Sequence, residues 1–162
     1  MSAAARTTPA TGTALATTAQ QVALIDALLA RAFPVRRERF ARGGSGPEFH
    51  VAQLWESAAL WEADAADAQE AGEDCAAALA ALTTVLSLRW GEPAVLDLAG
   101  RLERVAMGLP VGPPLDLLCG VVPRLHTWRA GDRWLGIGAG QGGPELPYQV
   151  VVAIGAGAVP GG

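Results

Sequence analysis

The sequence predicts an α+β protein in which an N-terminal helical layer is followed by a small, mainly antiparallel β-sheet. Two observations support this class. In the first 90 residues, apolar side chains recur at spacings of three and four, as they do on one face of a helix. Beyond Pro93 the apolar runs become short, and Gly and Pro separate them, as in strands joined by turns. Helical and strand regions that are segregated along the chain are typical of α+β folds.

The first predicted helix begins at Thr18, which stands three residues before Gln21 at the spacing of a capping box. Its apolar face consists of Val22, Ile25, Leu28, Leu29, Ala32 and Phe33. Pro34 ends it, because proline cannot continue a helix. Residues 1–16 lack periodicity and are predicted to be a disordered tail, residues 17–155 a single domain, and residues 156–162 a flexible tail.

A second helix is predicted to begin near Pro47, since Ser45 and Glu48 have capping-box spacing. Its helical register contains Val51, Leu54, Trp55, Ala58, Trp61 and Ala65. On such a helix Trp55 and Trp61 lie about 120° apart, so they flank a broad apolar face rather than forming one seam. Beyond Gly72 a further stripe of Leu79, Leu82, Val85 and Leu86 continues to Trp90, which predicts one long helix or two consecutive helices.

The C-terminal part is predicted to contain a strand at 94–98, a short helix at 99–107 and a last strand at 147–154. A hairpin is expected to turn at residues 130–132. Trp128 and Trp134 bracket this turn, so we expect a cross-strand aromatic pair. If either indole is exposed, it becomes an interface anchor instead.

Composition limits the classes of function. The chain is 51% hydrophobic and 17% charged, as globular proteins are, and it has no apolar run near twenty residues. No secretory signal is recognisable, so a cytoplasmic location is expected, with Cys75 and Cys119 as buried thiols. All 12 basic residues are Arg, which excludes Schiff-base lysine chemistry and a Walker lysine.

Chemical motifs are sparse, and the sequence predicts a protein that is not an enzyme and that has no cofactor or metal. Residues 138–143 match G-x-G-x-x-G, but Pro144 and a strand follow instead of a helix, which favours a hairpin loop over a dinucleotide site. The only histidines, His50 and His126, have no metal-ligand spacing to the cysteines. His126 is interpreted as an ordinary strand residue.

The charges are unevenly distributed. Residues 1–42 contain six Arg against two acids, whereas residues 43–98 contain one Arg against ten acids. Within the second region, residues 61–74 carry six carboxylates and no positive charge. Such a surface repels nucleic acid and anionic membranes, so neither is an expected partner. Two interpretations remain open: a solvated helix face, or a docking face for a basic protein.

The segment from Leu86 to Gly155, with SLRWGEP, WRAGDRW, LGIGAGQ and ELPYQVVVAIG, resembles a group of uncharacterised actinobacterial proteins. The small α+β build and the acidic, Trp-containing surface also resemble the immunity proteins of bacterial toxin systems. This resemblance implies a non-enzymatic binding module that presents an acidic helix to a basic protein such as a toxin. The alternatives are a homo-oligomeric scaffold in which the predicted helical stripes Val22–Phe33 and Val51–Ala65 pair in a homodimer, or an enzyme or small-molecule carrier that uses the C-terminal sheet. The partner-binding residues expected under the first hypothesis are Trp55, Glu56, Trp61, Glu62, Asp64, Asp67, Glu70, Glu73 and Asp74.

Overall fold

A computed structural model describes residues 17–161 and confirms the α+β class. Its elements in chain order are α1 (Thr18–Ala30), β1 (Glu38–Phe40), β2 (Gly43–Gly46), β3 (Phe49–Glu56), α2 (Ala65–Trp90), β4 (Ala94–Asp97), α3 (Ala99–Ala106), α4 (Leu115–Leu118), β5 (Arg124–Ala130), β6 (Arg133–Gly140) and β7 (Gln149–Ala156). The strands form one antiparallel sheet of seven in the order β1-β2-β3-β7-β6-β5-β4. The predicted tail at residues 1–16 lies outside the described residues.

The sheet is covered on both faces, so the protein has two hydrophobic cores. The first core lies under α1 and α2 and contains Ile25, Leu28, Ala52, Leu54, Cys75, Leu82, Leu86, Trp128, Leu135, Ile137, Val150, Val152 and Ile154. The second core lies on the opposite face and contains Leu96, Leu98, Leu115, Leu118, Cys119, Val122, Leu125, Trp134, Val151 and Ala153. Alternate residues of β7 enter the two cores, which explains why this strand is a continuous apolar run.

Helix α1 is capped at both ends by side chains. Thr17 and Gln20 form a reciprocal capping box, one residue earlier than the sequence predicted. At the other end Nη1 of Arg133 donates to the carbonyl oxygens of Leu28, Leu29 and Arg31 at 3.2, 3.1 and 2.7 Å. Of these carbonyls, that of Leu28 also accepts a hydrogen bond from the backbone N–H of Arg31 at 3.2 Å, and the arginine supplies a side-chain donor to all three at the C-terminus of the helix.

Helix α2 continues unbroken through Gly72 and packs on the sheet through Cys75, Leu82 and Leu86. Near its C-terminus Nη1 of Arg89 lies 2.7 Å from Oδ1 of Asp26 on α1. By length and composition alone α2 could cross a membrane, since an 18-residue window has a mean hydropathy of 1.3. In the structure 17% of that window is buried.

The prediction of a helix from Val51 to Ala65 is wrong, because residues 49–56 form strand β3 and residues 57–64 form a loop. The pairing of β3 with β7 shifts register between Gln53 and Trp55. This β-bulge breaks the alternation of the strand and places apolar residues at helical spacing. Pairing also extends to β2, where Gly43 approaches β3 so closely that a Cβ there would lie 2.0 Å from the Val51 carbonyl oxygen.

The predicted hairpin is confirmed, but the predicted pairing of Trp128 with Trp134 is wrong. Trp128 faces Leu135 across the sheet, and Trp134 faces Arg129, so the two indoles lie on opposite faces. Each is 3% exposed, with Trp128 in the first core and Trp134 in the second. Both are therefore core residues rather than interface anchors.

The glycine-rich motif and the C-terminal residues are ordered parts of the sheet side of the molecule. The prediction of a hairpin loop at residues 138–143 is wrong for its first half, because Gly138 and Gly140 belong to strand β6 and only residues 141–143 lie outside it. The sequence placed a flexible tail from residue 156, whereas in the structure Ala156 ends β7 and Val159 packs against the second core. Nη2 of Arg101 donates to the carbonyl oxygen of Gly161 at 2.6 Å.

Candidate functional site

Most of the predicted binding residues gather around one surface cavity, which we call the acidic groove. It has a volume of about 450 Å³ and lies between the end of β3, the loop at 57–64 and the first half of α2. Its lining residues are Trp55, Ser57, Ala58, Ala59, Leu60, Glu62, Ala63, Asp67, Glu70, Ala71 and Asp74.

The loop that forms one wall of the acidic groove is fixed by hydrogen bonds to the segment before β7. The backbone N–H of Ser57 donates to the Tyr148 carbonyl oxygen at 2.9 Å, and the N–H of Tyr148 donates to Oγ of Ser57 at 3.0 Å. The N–H of Leu60 donates to the Glu145 carbonyl oxygen at 3.2 Å, while its side chain is 9% exposed. This wall is therefore held in place by the fold.

The start of α2 forms the other wall. Asp64 is the N-cap, and its Oδ1 accepts a hydrogen bond from the N–H of Asp67 at 2.8 Å. From Asp67 onward, Glu70 and Asp74 follow at spacings of three and four, which places the three carboxylates on one face of the helix. Of the three, Asp67 lies in the first turn of the helix, where a carboxylate interacts favourably with the helix dipole.

The carboxylates of the acidic groove have no cationic partner among the described residues. Across residues 17–161, no Arg lies within ion-pair distance of Glu62, Asp67, Glu70 or Asp74. The groove therefore carries four negative charges that a cationic ligand can meet.

Trp55 supplies an aromatic surface to the acidic groove. Its side chain is partly buried and packs against the first core, and the residue lines the cavity. Trp61 lies in the loop at 57–64 and is 64% exposed, but it does not line the cavity. It instead presents an apolar surface close to the groove.

Five of the nine predicted residues line the acidic groove, namely Trp55, Glu62, Asp67, Glu70 and Asp74. The other four lie outside it. Glu56 ends β3 with its Oε1 3.5 Å from Nη1 of Arg42, and Glu73 accepts a hydrogen bond from Gln69 at 3.1 Å. The expectation that one helix presents all the acids is wrong, since β3, a loop and α2 each contribute.

Within residues 17–161, the acidic groove has neither a metal-ligand cluster nor an exposed thiol. In the described part of the chain, no three His, Cys, Asp or Glu side chains are grouped so that they could hold a metal ion. Next to the groove residue Asp74, Cys75 is 2% exposed, and its Sγ donates to the Gln149 carbonyl oxygen at 3.6 Å. Burial raises the pKa of the Cys75 thiol to about 11, so it is protonated at neutral pH and is a poor nucleophile.

A buried pair of polar side chains was missed by sequence reasoning. Nδ1 of His50 lies 2.5 Å from Oγ of Ser45, and Nε2 lies 3.1 Å from the Arg31 carbonyl oxygen. His50 is 0% and Ser45 1% exposed, so the pair is structural rather than a catalytic dyad open to substrate. The signal in the sequence was a histidine inside the apolar run of β3. The other histidine, His126, lies on β5 as predicted.

Comparison with known proteins adds no functional assignment to this geometry. No protein-family model, curated protein sequence or solved structure matches the chain significantly.

Proposed function

We propose that the protein is a non-enzymatic, cytoplasmic binding module whose acidic groove receives a basic segment of a partner protein. The observation that supports this proposal is the set of four carboxylates, unpaired with any Arg of the described residues, that line one cavity together with Trp55. By analogy with immunity proteins, which the sequence resembles, a nuclease-type toxin with a basic surface is the partner class that fits.

Arginine is the side chain that best matches the acidic groove. A guanidinium can stack on an indole face and donate paired hydrogen bonds to a carboxylate. Trp55 supplies the face, while Glu62 on the loop and Asp67 on α2 supply acceptors on the two walls. A partner segment with two or more arginines would use both walls at once.

The expected complex combines fast capture with apolar retention. Exposed ion pairs contribute only about 0.2–1 kcal/mol each, so the carboxylates mainly increase the association rate. Tryptophan is prominent among the residues that dominate binding energy, and Trp55 and the exposed Trp61 are placed to provide it. Because salt screens exposed charges, association should weaken as ionic strength rises.

The proposal is tested by affinity purification from the native cytoplasm at low and high salt, with mass spectrometry of the eluate. The groove variant carries Glu62→Gln, Asp67→Asn, Glu70→Gln and Asp74→Asn. The matched control carries Glu48→Gln, Glu92→Gln, Glu103→Gln and Asp132→Asn, which changes the net charge equally at exposed positions outside the acidic groove.

We expect a stoichiometric basic protein that high salt releases, that the control variant retains and that the groove variant loses. Retention of the same partner by the groove variant would refute the proposal. Recovery of this chain alone would also count against it, since the carboxylates would then be only a solvated surface.

The alternative function, a homo-oligomeric scaffold, has a different structural basis from the one the sequence suggested. The stripe at 22–33 packs inside the molecule, with Ile25 and Leu28 in the first core. An exposed apolar surface that pairing of two copies would bury lies instead on α2, where Val85 is 40% and Leu88 is 86% exposed. Light scattering that shows a concentration-dependent mass, abolished by Leu88→Glu, would favour this alternative.

A further inference from the structure

A second groove crosses β2 and β3 on the sheet face opposite α1 and α2. It consists of two cavities of about 390 and 540 Å³ that share Gly43, Val51 and Leu117 in their linings. We call it the glycine-floored groove. Val51 and Leu118 connect it to the second core, whereas the acidic groove belongs to the other face.

The floor of this groove is open because β2 is the sequence Gly43-Gly44-Ser45-Gly46. Gly44 pairs with Arg39 on one side and Val51 on the other. A Cβ at Gly44 would meet, within 4 Å, only the backbone carbonyl oxygen of Glu38. The sheet surface beside Val51 is therefore bare.

One wall of the groove is apolar. Helix α4 supplies Leu117, which is 44% exposed and lines both cavities, while the adjacent Leu118 is 2% exposed and anchors the helix in the second core. Phe49 and Val51 of β3 complete the apolar surface of the smaller cavity. Burying an apolar group against these side chains is favourable, at roughly 25 cal/mol per Å².

The rim of the smaller cavity is cationic. Arg37 and Arg39 both line it. The guanidinium of Arg37 lies 5.6 Å from the Phe49 ring centroid and 3.8 Å from Oδ2 of Asp116, an ion pair at the long end of the range. For Arg39, no acidic side chain of the described chain is close enough to form an ion pair.

The acids near this rim leave the cation of Arg39 available. Glu38 also lines the smaller cavity, but its carboxylate is paired with Arg31 at 3.0 Å. At the far end of the groove Glu56 is paired with Arg42 at 3.5 Å. Arg37, Arg39 and Asp116 together leave one uncompensated positive charge beside the apolar wall.

We infer that the glycine-floored groove binds a small organic anion with an apolar body, of the alkyl or aryl carboxylate class. The carboxylate accepts hydrogen bonds from Arg39, with Arg37 beside it, and the apolar body lies over Gly44 and Val51 against Leu117. Volumes of 390 and 540 Å³, and an apolar centre with an unpaired arginine at one end and a paired Arg42 and Glu56 at the other, are compatible with a small-molecule site. This site is independent of the partner proposed for the acidic groove.

The test is isothermal titration calorimetry of the whole chain with octanoate, and with octan-1-ol as the uncharged probe of the same chain length. Arg39→Gln removes the guanidinium, and Arg36→Gln is its control, because Arg36 is exposed but does not line the groove. Leu117→Trp fills the groove from its exposed wall, and Leu102→Trp, at a position that is 46% exposed on α3, is its control.

Octanoate is expected to bind the wild type, with a Kd that Arg39→Gln weakens by at least about tenfold and that Arg36→Gln leaves unchanged. Leu117→Trp should abolish binding while Leu102→Trp preserves it, and octan-1-ol should bind more weakly than octanoate. The inference is overturned if the wild type does not bind octanoate, if octan-1-ol binds equally well, or if each variant behaves like its control. Circular dichroism of every variant establishes that the fold is retained.

Discussion

The buried imidazole of His50 predicts how stability changes with pH. A carbonyl oxygen can only accept, so Nε2 carries the hydrogen and donates to Arg31, and Nδ1 accepts from the hydroxyl of Ser45. The native environment therefore selects the neutral ring in a single tautomer. A second proton on Nδ1 would displace the hydrogen bond that Ser45 donates, and it would place a positive charge on a ring that is 0% exposed.

The direction of the effect follows from the shift of the pKa. Burial is the largest cause and lowers the pKa of His50 below 6.5. The hydrogen bond to the Arg31 carbonyl raises the pKa and opposes this effect. Of the nearby charges, those of Arg133 and Arg31 lower the pKa further, whereas that of Glu38 raises it. Well above pH 6.5 the folded and unfolded states are both neutral at this residue, so it adds no pH dependence there. Below pH 6.5 the unfolded chain binds a proton that the folded chain does not, so the free energy of unfolding falls until the native pKa is passed.

The perturbation is His50→Gln, measured by urea unfolding at pH 7.5, 6.5 and 5.5. At pH 7.5 the variant loses two hydrogen bonds of about 1 kcal/mol each. It also loses the contact with the Phe33 ring, whose centroid lies 4.8 Å from that of His50, and this contact contributes about 1 kcal/mol. We therefore expect a destabilisation of about 3 kcal/mol, reduced by whatever bonds the amide restores.

Between pH 6.5 and 5.5 the difference between wild type and variant should shrink, by at most about 1.4 kcal/mol, because only the wild type carries the histidine linkage. The same substitution at His126 controls for the loss of an imidazole elsewhere on the sheet. A difference at position 50 that stays constant or grows as the pH falls would refute the reasoning.

Two further predictions concern the cores. Gly155→Ala should destabilise the fold by about 1–3 kcal/mol in urea unfolding, because a Cβ there would lie 2.1 Å from Nε1 of Trp134. The control is Gly100→Ala, where a Cβ meets no atom within 4 Å and no destabilisation is expected. Equal stability of the two variants would contradict this prediction. The Cys75 thiol, whose pKa burial raises to about 11, should resist an aromatic disulfide reagent at pH 8 until the chain is unfolded; rapid labelling of the native protein would contradict this.

The fold class was predictable because most elements keep the period of their structure. The stripe of α2 around Leu82 and Leu86 is helical, and the run that forms β7 is apolar throughout. Strand β3 was not predictable in the same way, because the bulge after Gln53 turns an alternating strand into a segment with helical spacing. Only the partner strand, which lies far along the chain, decides between the two.

Two errors show how neighbouring strands override local patterns. The sequence predicts that Ser45 caps a helix, yet residues 43–46 form strand β2, where the close approach of β3 leaves no room for a side chain at Gly43. The predicted pairing of Trp128 with Trp134 is wrong by one residue of register. Ala130 pairs with Arg133 across the turn, so the two indoles point to opposite faces of the sheet.

The acidic groove was predictable only where its residues share one helix. The spacing of Asp67, Glu70 and Asp74 was sufficient to place them together. Glu62 on the loop and Trp55 near the end of β3 also line the groove. Glu56 does not line it, because its position at the end of β3 places its carboxylate beside Arg42. These last placements depend on tertiary structure, which spacing does not encode.

The central position of β7 has a consequence for how the chain is made. Strand β3 pairs with β7 from Phe49 opposite Gly155 to Glu56 opposite Gln149. A strand that is synthesised early therefore pairs with one that is synthesised about a hundred residues later. Until β7 emerges during synthesis, β3 and β6 each keep an open edge, and neither core has its middle strand. Such edges favour aggregation, and pairing over long sequence separation slows folding. Release of the eight residues of β7 from the ribosome is the step that closes both cores at once.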